Sequence, residues 1–344
     1  MSNSTTELPI AALEAWMSNH VGGEPVNITQ VTRFPGGFSN LTYLLSLGDR
    51  QLVLRRAPLG ADVKGGHDMG REHKVLSLLH PVFGACPTPL GYCEDEQVIG
   101  APFFLMEHVE GHILRPSAMN NTPSPEEMKR LCTSLIGQLA ALHSIDIETS
   151  GLMALGKPEG YQQRQTSGWI DRYERARTDE IPGVEALCTW LTANVPPDGP
   201  TTVIHNDFKF DNVVFSSIEE GNIAAILDWE MATVGHPGMD LGTTLAYWVE
   251  AADGPFLKPF NITHLPGALT RQELLAYYEE LSGLRIESPV FYYVFGLFKV
   301  GVIAQQIYAR YRKGLTTDKR FASLGLVVKA CMEQAIAAVE RGKL

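Results

Sequence analysis

Between Val203 and Glu230 the sequence reads VIHNDFKFDNVVFSSIEEGNIAAILDWE. A His-x-Asp-x-x-x-x-Asn run, from His205 through Asp207 to Asn212, is followed by a second apolar run that ends in Asp228. Val213 to Phe215 and Ile223 to Leu227 have strand character, and Glu219 to Asn222 reads as the turn joining them. Such a hairpin would bring Asn212 and Asp228 together. Two oxygen donors near a third carboxylate, Asp207, suit a hard cation and a hydroxyl nucleophile. That combination is the chemistry of phosphoryl transfer.

The elements upstream would have to position a phosphate. Ile28 to Phe34, Leu41 to Leu47 and Gln51 to Arg56 read as strands, with Gly48-Asp49 as a tight turn. Pro35-Gly36-Gly37-Phe38-Ser39-Asn40 lies between the first two; its glycines permit close backbone approach to phosphate, and equally a plain turn. The third strand ends in Arg55-Arg56, and Gly70 to His80 follows as a helix with Glu72 near its start. Glu72 either complements the helix dipole or reaches across to Arg55. Phe103 to Val109 reads as a buried strand leaving a core. At such a junction the Glu107 carbonyl and the Val109 N–H could meet an adenine edge.

Pro9 to His20 has the spacing of an amphipathic helix. From Ser124 the chain turns helical: Ser124, Pro125 and Glu127 form a capping box, and Met128 to Leu142 repeat at helical spacing. His143 near the end of that helix reads as a structural histidine, because no second ligand stands at metal spacing. Tyr161 to Thr178 and Gly183 to Asn194 give two further helices, the first with a solvated charged face. Asp240 begins a helix towards Trp248, either as its cap or as a buried acceptor for the catalytic loop's backbone. Thr270 and Glu273 cap a helix ending at Gly283, and Pro289 to Lys313 and Asp318 to Gly342 are two more. The cations that close the first of these, Arg310 to Lys313, suit a helix C-terminus or an anionic substrate.

The 344 residues have room for two cores, and the formal net charge of -11 argues against a nucleic-acid partner. Five cysteines, Cys86, Cys93, Cys132, Cys188 and Cys331, contain no C-x-x-C pair, which suits reduced thiols in a cytoplasmic protein. The first residues lack the pattern of a signal peptide, and no run of about 18 or more apolar residues is evident, so no membrane partner is expected.

Glycine loop, strand-borne cation, helix-borne Glu, hinge, catalytic loop and Asp228 follow one another in an order that resembles the aminoglycoside phosphotransferase and choline kinase-like family, which has the protein-kinase-like fold. Within that family the chain resembles the kinase-like domain of acyl-CoA dehydrogenase family members, on Phe291 to Arg310-Tyr311. The resemblance implies an α+β, bilobal, protein-kinase-like fold. An antiparallel-sheet nucleotide-binding lobe over residues 1–109 would precede a larger, mainly helical lobe over 110–344 that holds catalysis and substrate. It implies ATP and magnesium as cofactors. Asp207 would be the base, Lys209 would meet the γ-phosphate, and Asn212 and Asp228 would hold the metal. Gly36, Gly37, Ser39, Asn40, Arg55, Glu72, Glu107 and Val109 would hold the nucleotide, and Asp240 would be structural.

Three positions depart from the protein-kinase pattern: Arg55 stands where lysine is usual, Asn206 replaces an arginine, and Asp228-Trp229-Glu230 lacks the glycine of Asp-Phe-Gly. The expected function is Mg-ATP-dependent phosphorylation of a small-molecule alcohol, with hydroxyacyl-CoA as one acceptor and aminoglycosides or choline-like amino alcohols as the alternative. Two other classes compete: a nucleotide-binding regulator without turnover, and a metal-dependent hydrolase using His205 and Asp207. G-x-S-x-G is absent, which makes a serine hydrolase the weakest of the alternatives.

Overall fold

The structure, a computed structural model, describes residues 8–21, 24–34, 40–58, 68–117, 119, 121–316 and 318–344. The chain divides into two compact units. One is carried by residues up to Glu110 together with Ala225–Ala232, the other by Gly111–Ala224 and Thr233–Leu344.

The first unit is built on α1 (Ile10–His20), β1 (Gln30–Arg33), β2 (Leu41–Leu47), β3 (Arg50–Arg56), α2 (Met69–Leu79), β4 (Pro89–Cys93), α3 (Glu96–Ile99) and β5 (Phe103–Glu107). Its strands form one antiparallel sheet in the order β1-β2-β3-β5-β4. Side chains alternate across a strand. On β3, Leu52 and Leu54 therefore enter the core with Leu13 and Met17 of α1 and with Phe103 and Leu105 of β5, while Arg55 points to the opposite face. Gly48, at φ +64°, supplies the left-handed turn between β2 and β3. The sequence did not disclose β4 and α3. β4 begins at a proline and its register against β5 shifts between Pro89 and Gly91, so no clean alternation marks it.

The second unit contains α4 (Pro125–His143), α5 (Tyr161–Ala176), α6 (Val184–Ala193), β6 (Thr202–Ile204), β7 (Val213–Ser217), β8 (Asn222–Ile226), β9 (Thr233–Gly235), α7 (Pro237–Tyr247), α8 (Arg271–Ser282), α9 (Pro289–Arg312) and α10 (Leu324–Arg341). The end of β8 and the residues up to Ala232 belong to the first unit. α4 and α8 carry the capping boxes expected at Ser124/Glu127 and Thr270/Glu273. β6 pairs antiparallel with β9, and β7 turns back into β8.

Two sequence expectations need correction. α7 begins at Pro237, three residues before Asp240, because His236 accepts from the Gly238 N–H and proline suits the first helical position. Two helical stretches, Pro289–Arg312 and Lys319–Arg341, are also long and apolar enough by composition to cross a membrane. The apolar window of the first is 78% buried inside the protein, the condition of a core helix.

α7 and α9 meet backbone to backbone. A Cβ on Gly242 would lie 2.2 Å from the Tyr292 carbonyl oxygen, and one on Gly296 would lie 2.1 Å from that of Gly242. Only glycine lets the helices approach so closely, and the approach brings Lys299 of α9 to the His205–Asn212 loop that follows β6.

Candidate active site

In the first unit, acids converge on Arg55. Its Nη1 donates to Glu72 Oε1 and its Nη2 to Asp228 Oδ1 at 3.1 Å, with Glu230 Oε2 at 3.7 Å. Glu230 accepts from Asn40 Nδ2 at 2.8 Å, which links the start of β2 to the segment after β8. Of the two roles open to Glu72, the structure selects the partner of Arg55. Burial opposes the charge on Arg55, but Glu72, Asp228 and Glu230 together raise its pKa above the ordinary value. The carboxyl of Glu72 is pushed up, by burial first, against the pull of Arg55. Asp228 is left-handed, with φ 66°, and sits beside a short 3-10 turn anchored by buried Trp229, whose Nε1 donates to the Ile226 carbonyl at 2.8 Å.

Gly36, Gly37 and Ser39 of the proposed phosphate loop lie outside the described residues. Glu107 closes β5 with its side chain in an exposed pair with Arg50 at 3.4 Å, and Val109 lies two residues beyond the strand.

In the second unit, Asp207, Lys209 and Asn212 meet. Asp207 Oδ2 accepts from Lys209 Nζ at 2.7 Å and from Asn212 Nδ2 at 2.9 Å. The same Asn212 nitrogen reaches the Asp207 carbonyl, also at 2.9 Å, closing the loop on itself. Lys209 also sits 4.5 Å above the ring of Tyr247. Burial alone would raise the carboxyl of Asp207, but Lys209, His205 and Lys299 hold it below the usual carboxylate range, so it is ionised at neutral pH.

The backbone behind these groups is fixed by Asp240, which accepts from the N–H groups of His205 at 2.6 Å and Asn206 at 2.7 Å. The role of buried acceptor, rather than helix cap, is the one the structure gives it. His143 joins Asp240 at 3.2 Å and the Tyr278 hydroxyl at 2.7 Å, which makes it a buried structural histidine. His205 is fully buried and takes the Asp207 N–H on Nδ1 at 3.2 Å, which leaves it unsuited to a hydrolytic metal.

Three residues have roles that the sequence reading did not assign. Glu230 is a third acid at Arg55. Asn206 takes φ 68°, and its own Nδ2 donates to the Tyr161 hydroxyl at 3.0 Å. Lys299, mid-helix in α9, donates to the Asn206 carbonyl at 2.6 Å. Asparagine tolerates the left-handed region, which is one signal the sequence offered. A lysine inside an apolar helix is the other anomaly that could have been noticed.

Each unit carries an oxygen donor of the kind that magnesium takes. The amide nitrogen of Asn212 is committed to Asp207, leaving its Oδ1 as a hard oxygen donor. Asp228 stands among acids that outnumber the single guanidinium they share, a surplus of negative charge suited to a divalent cation. Among the described residues no group of three His, Cys, Asp or Glu side chains forms a closed metal cage. Magnesium needs none when phosphate oxygens and water complete its shell.

The profile of the "Phosphotransferase enzyme family" matches residues 30–277. The chain belongs to this family. Among its relatives, acyl-CoA dehydrogenase family member 11 of Rattus norvegicus is 35% identical over 312 residues, covering 89% of this chain but 40% of that protein. The chain thus spans about two-fifths of the length of this relative. A candidate aminoglycoside phosphotransferase from Ralstonia eutropha JMP134 is 30% identical with a TM-score of 0.83, covering 97% of this chain and 99% of that one. Spectinomycin phosphotransferase, solved with ADP and spectinomycin, shares the fold at 14% identity and a TM-score of 0.59, over 96% and 98% of the two chains. The α+β, kinase-like fold expected from the motifs is that of these phosphotransferases.

Proposed function

We propose that this chain transfers the γ-phosphoryl group of ATP to the hydroxyl of a small molecule. The observation that carries the reading is the loop in which Lys209 and Asn212 both hold Oδ2 of an ionised, part-buried Asp207. A carboxylate kept charged and oriented is what a hydroxyl proton acceptor requires. Asp207 takes that proton as the acceptor oxygen bonds to the γ-phosphorus. The bond from phosphorus to the bridging oxygen breaks, and its electron pair leaves with ADP. Lys209, now paired with Asp207, turns to the transferring phosphoryl group, and Arg55 receives nucleotide phosphate oxygens on its planar fork. Asn212 and Asp228 would hold magnesium, which supplies charge neutralisation on the phosphates. Gly36, Gly37, Ser39 and Asn40 would line the phosphates, with Glu72 positioning Arg55. The Glu107 carbonyl and Val109 N–H would face the adenine.

Kinship points to the acceptor class. Identity to an acyl-CoA dehydrogenase family member supports a hydroxyacyl-CoA acceptor, although the chain spans only 40% of that relative. The Ralstonia relative supports an aminoglycoside or amino-alcohol acceptor instead. The test is coupled ADP release from Mg-ATP with hydroxyacyl-CoAs, amino alcohols, sugars and aminoglycosides. Turnover with one class, lowered about 10²- to 10⁴-fold by Asp207→Asn, is the expected result. Mg-ATP binding with no ADP release on any acceptor would instead mark a regulator, and wild-type turnover by Asp207→Asn would remove Asp207 as the base.

A further inference from the structure

Lys299 lies among Leu297, Phe298, Val300 and Val302 in the buried stretch of α9, and is itself 2% exposed. Its ammonium meets neutral acceptors: the Asn206 carbonyl at 2.6 Å, and Asn206 Oδ1 and Thr243 Oγ1 at 3.4 Å each, with the Trp169 ring at 5.9 Å. Taking an ammonium out of water costs several kcal/mol, and an apolar side chain would fill the same space without that cost. Its place therefore calls for a role other than packing.

The atom it grips suggests that role. Asn206 immediately precedes Asp207 and is held at φ 68°, a left-handed conformation that asparagine tolerates better than other non-glycine residues but that its surroundings must still select. Asp240 fixes the N–H of Asn206 and Lys299 fixes its carbonyl, so the peptide groups on both sides of the turn are held. The charge of Lys299 also acts on Asp207, lowering its carboxyl.

We propose that Lys299 is a positioning residue for phosphoryl transfer: its ammonium clamps the Asn206 carbonyl, holds the left-handed turn that aims Asp207, and keeps a fixed positive charge behind that carboxylate. The proposal rests on the reading of Asp207 as the base. The groups that act electrostatically on Lys299 are Asp207 and Lys209 from the loop, Asp240 from α7 and Arg172 from α5. His143 of α4 bonds to Asp240. Burial, the largest influence, brings Lys299 down to about 8, with Lys209 and Arg172 adding to the fall and the two carboxylates opposing it. A neutral amine can still donate a hydrogen bond, but a weaker one, and it no longer attracts Asp207.

The test compares wild type with Lys299→Met and Lys299→Arg over about pH 6 to pH 10, a span that covers the titration of a buried lysine. Lys299→Met should lower kcat about tenfold or more, the loss expected of a hydrogen bond to a charged group. KM for Mg-ATP should stay within about twofold, and the alkaline fall in kcat should disappear, because the removed interaction acts on the chemical step. Lys299→Arg should recover part of kcat and move the alkaline fall to higher pH, since arginine keeps its charge. Equal losses in both variants, or a wild-type kcat and pH profile in Lys299→Met, would overturn the proposal.

Two readouts do not depend on turnover. NMR titration of the lysine side chains should show a midpoint lowered to about 8 that is missing from both variants; the same lowered midpoint persisting in Lys299→Met would overturn the assignment to Lys299. Amide exchange at Asn206 and Asp207 should quicken in the variants, and unchanged exchange would likewise overturn it. If wild type releases no ADP with any acceptor, the phosphotransfer reading fails by itself, while the titration and exchange still decide whether the clamp exists.

Discussion

At the scale of single residues, Arg55 shows how a substitution for the usual lysine is accommodated. A guanidinium serves several acceptors at once, and here it meets Glu72, Asp228 and Glu230. Replacing it by methionine would leave Glu72 buried beside Asp228 with no cation. Arg55→Met should therefore lose about 3–5 kcal/mol of stability in urea unfolding, and the further change Glu72→Leu should restore part of it. Lys299 gives a pH-dependent counterpart. Its folded pKa of about 8 lies below the ordinary lysine value of 10.5, so the folded state binds fewer protons within that window. Its contribution must rise as pH climbs from about 8 to 10.5. The stability of wild type relative to Lys299→Met should grow over the same interval, and a flat difference would contradict the lowered pKa of Lys299. Asp207 and Asn212 were legible in the sequence because their spacing lies within one loop; Lys299 was not, because it is 93 residues from the carbonyl it grips.

At the scale of elements, the loop from His205 to Asn212 depends on two helices that touch through glycine. α7 brings Asp240 and α9 brings Lys299, and both align with the loop only if Gly242 and Gly296 stay without side chains. Gly296→Ala should cost about 1–3 kcal/mol or more by overpacking and should lower turnover beyond what stability explains. Gly137 in α4 is the control, since a Cβ there meets nothing within 4 Å. Gly137→Ala should add about 0.5–1 kcal/mol to stability, the ordinary gain from replacing a mid-helix glycine. Thermal or urea unfolding of the two variants distinguishes the predictions by sign. Helices with a cap and a regular apolar face were readable in advance. The start of α7 was not, because Asp240 resembles a cap locally while its carboxylate is taken by the backbone of a distant loop.

At the scale of the whole molecule, family membership over residues 30–277 and the kinase-like fold make nucleotide binding the first property to measure. A ligand that binds only the folded state stabilises it by mass action, by about 2.7 kcal/mol at a hundred times its Kd. Mg-ATP should raise the unfolding temperature accordingly, and excess EDTA should remove most of the gain. If the shift is the same with and without the metal, Asn212 and Asp228 do not serve as proposed. The acidic balance, a net charge of -11, makes any preference for an anionic acceptor a matter of local cations rather than of overall charge.

By itself the sequence determined the kinds of chemistry available and most of the elements that bear them. The apolar run of β3, the capping boxes of α4 and α8, and the spacing from His205 to Asn212 are local patterns, set by the geometry of strand, helix and loop. Tertiary structure alone decided which groups answer one another: Glu230 to Asn40 across 190 residues, Asp240 to the loop backbone, and Lys299 to Asn206. Those partnerships follow from which faces of packed helices and sheets come into contact. Two glycines that let backbones touch fix that contact between α7 and α9, and no local periodicity records it.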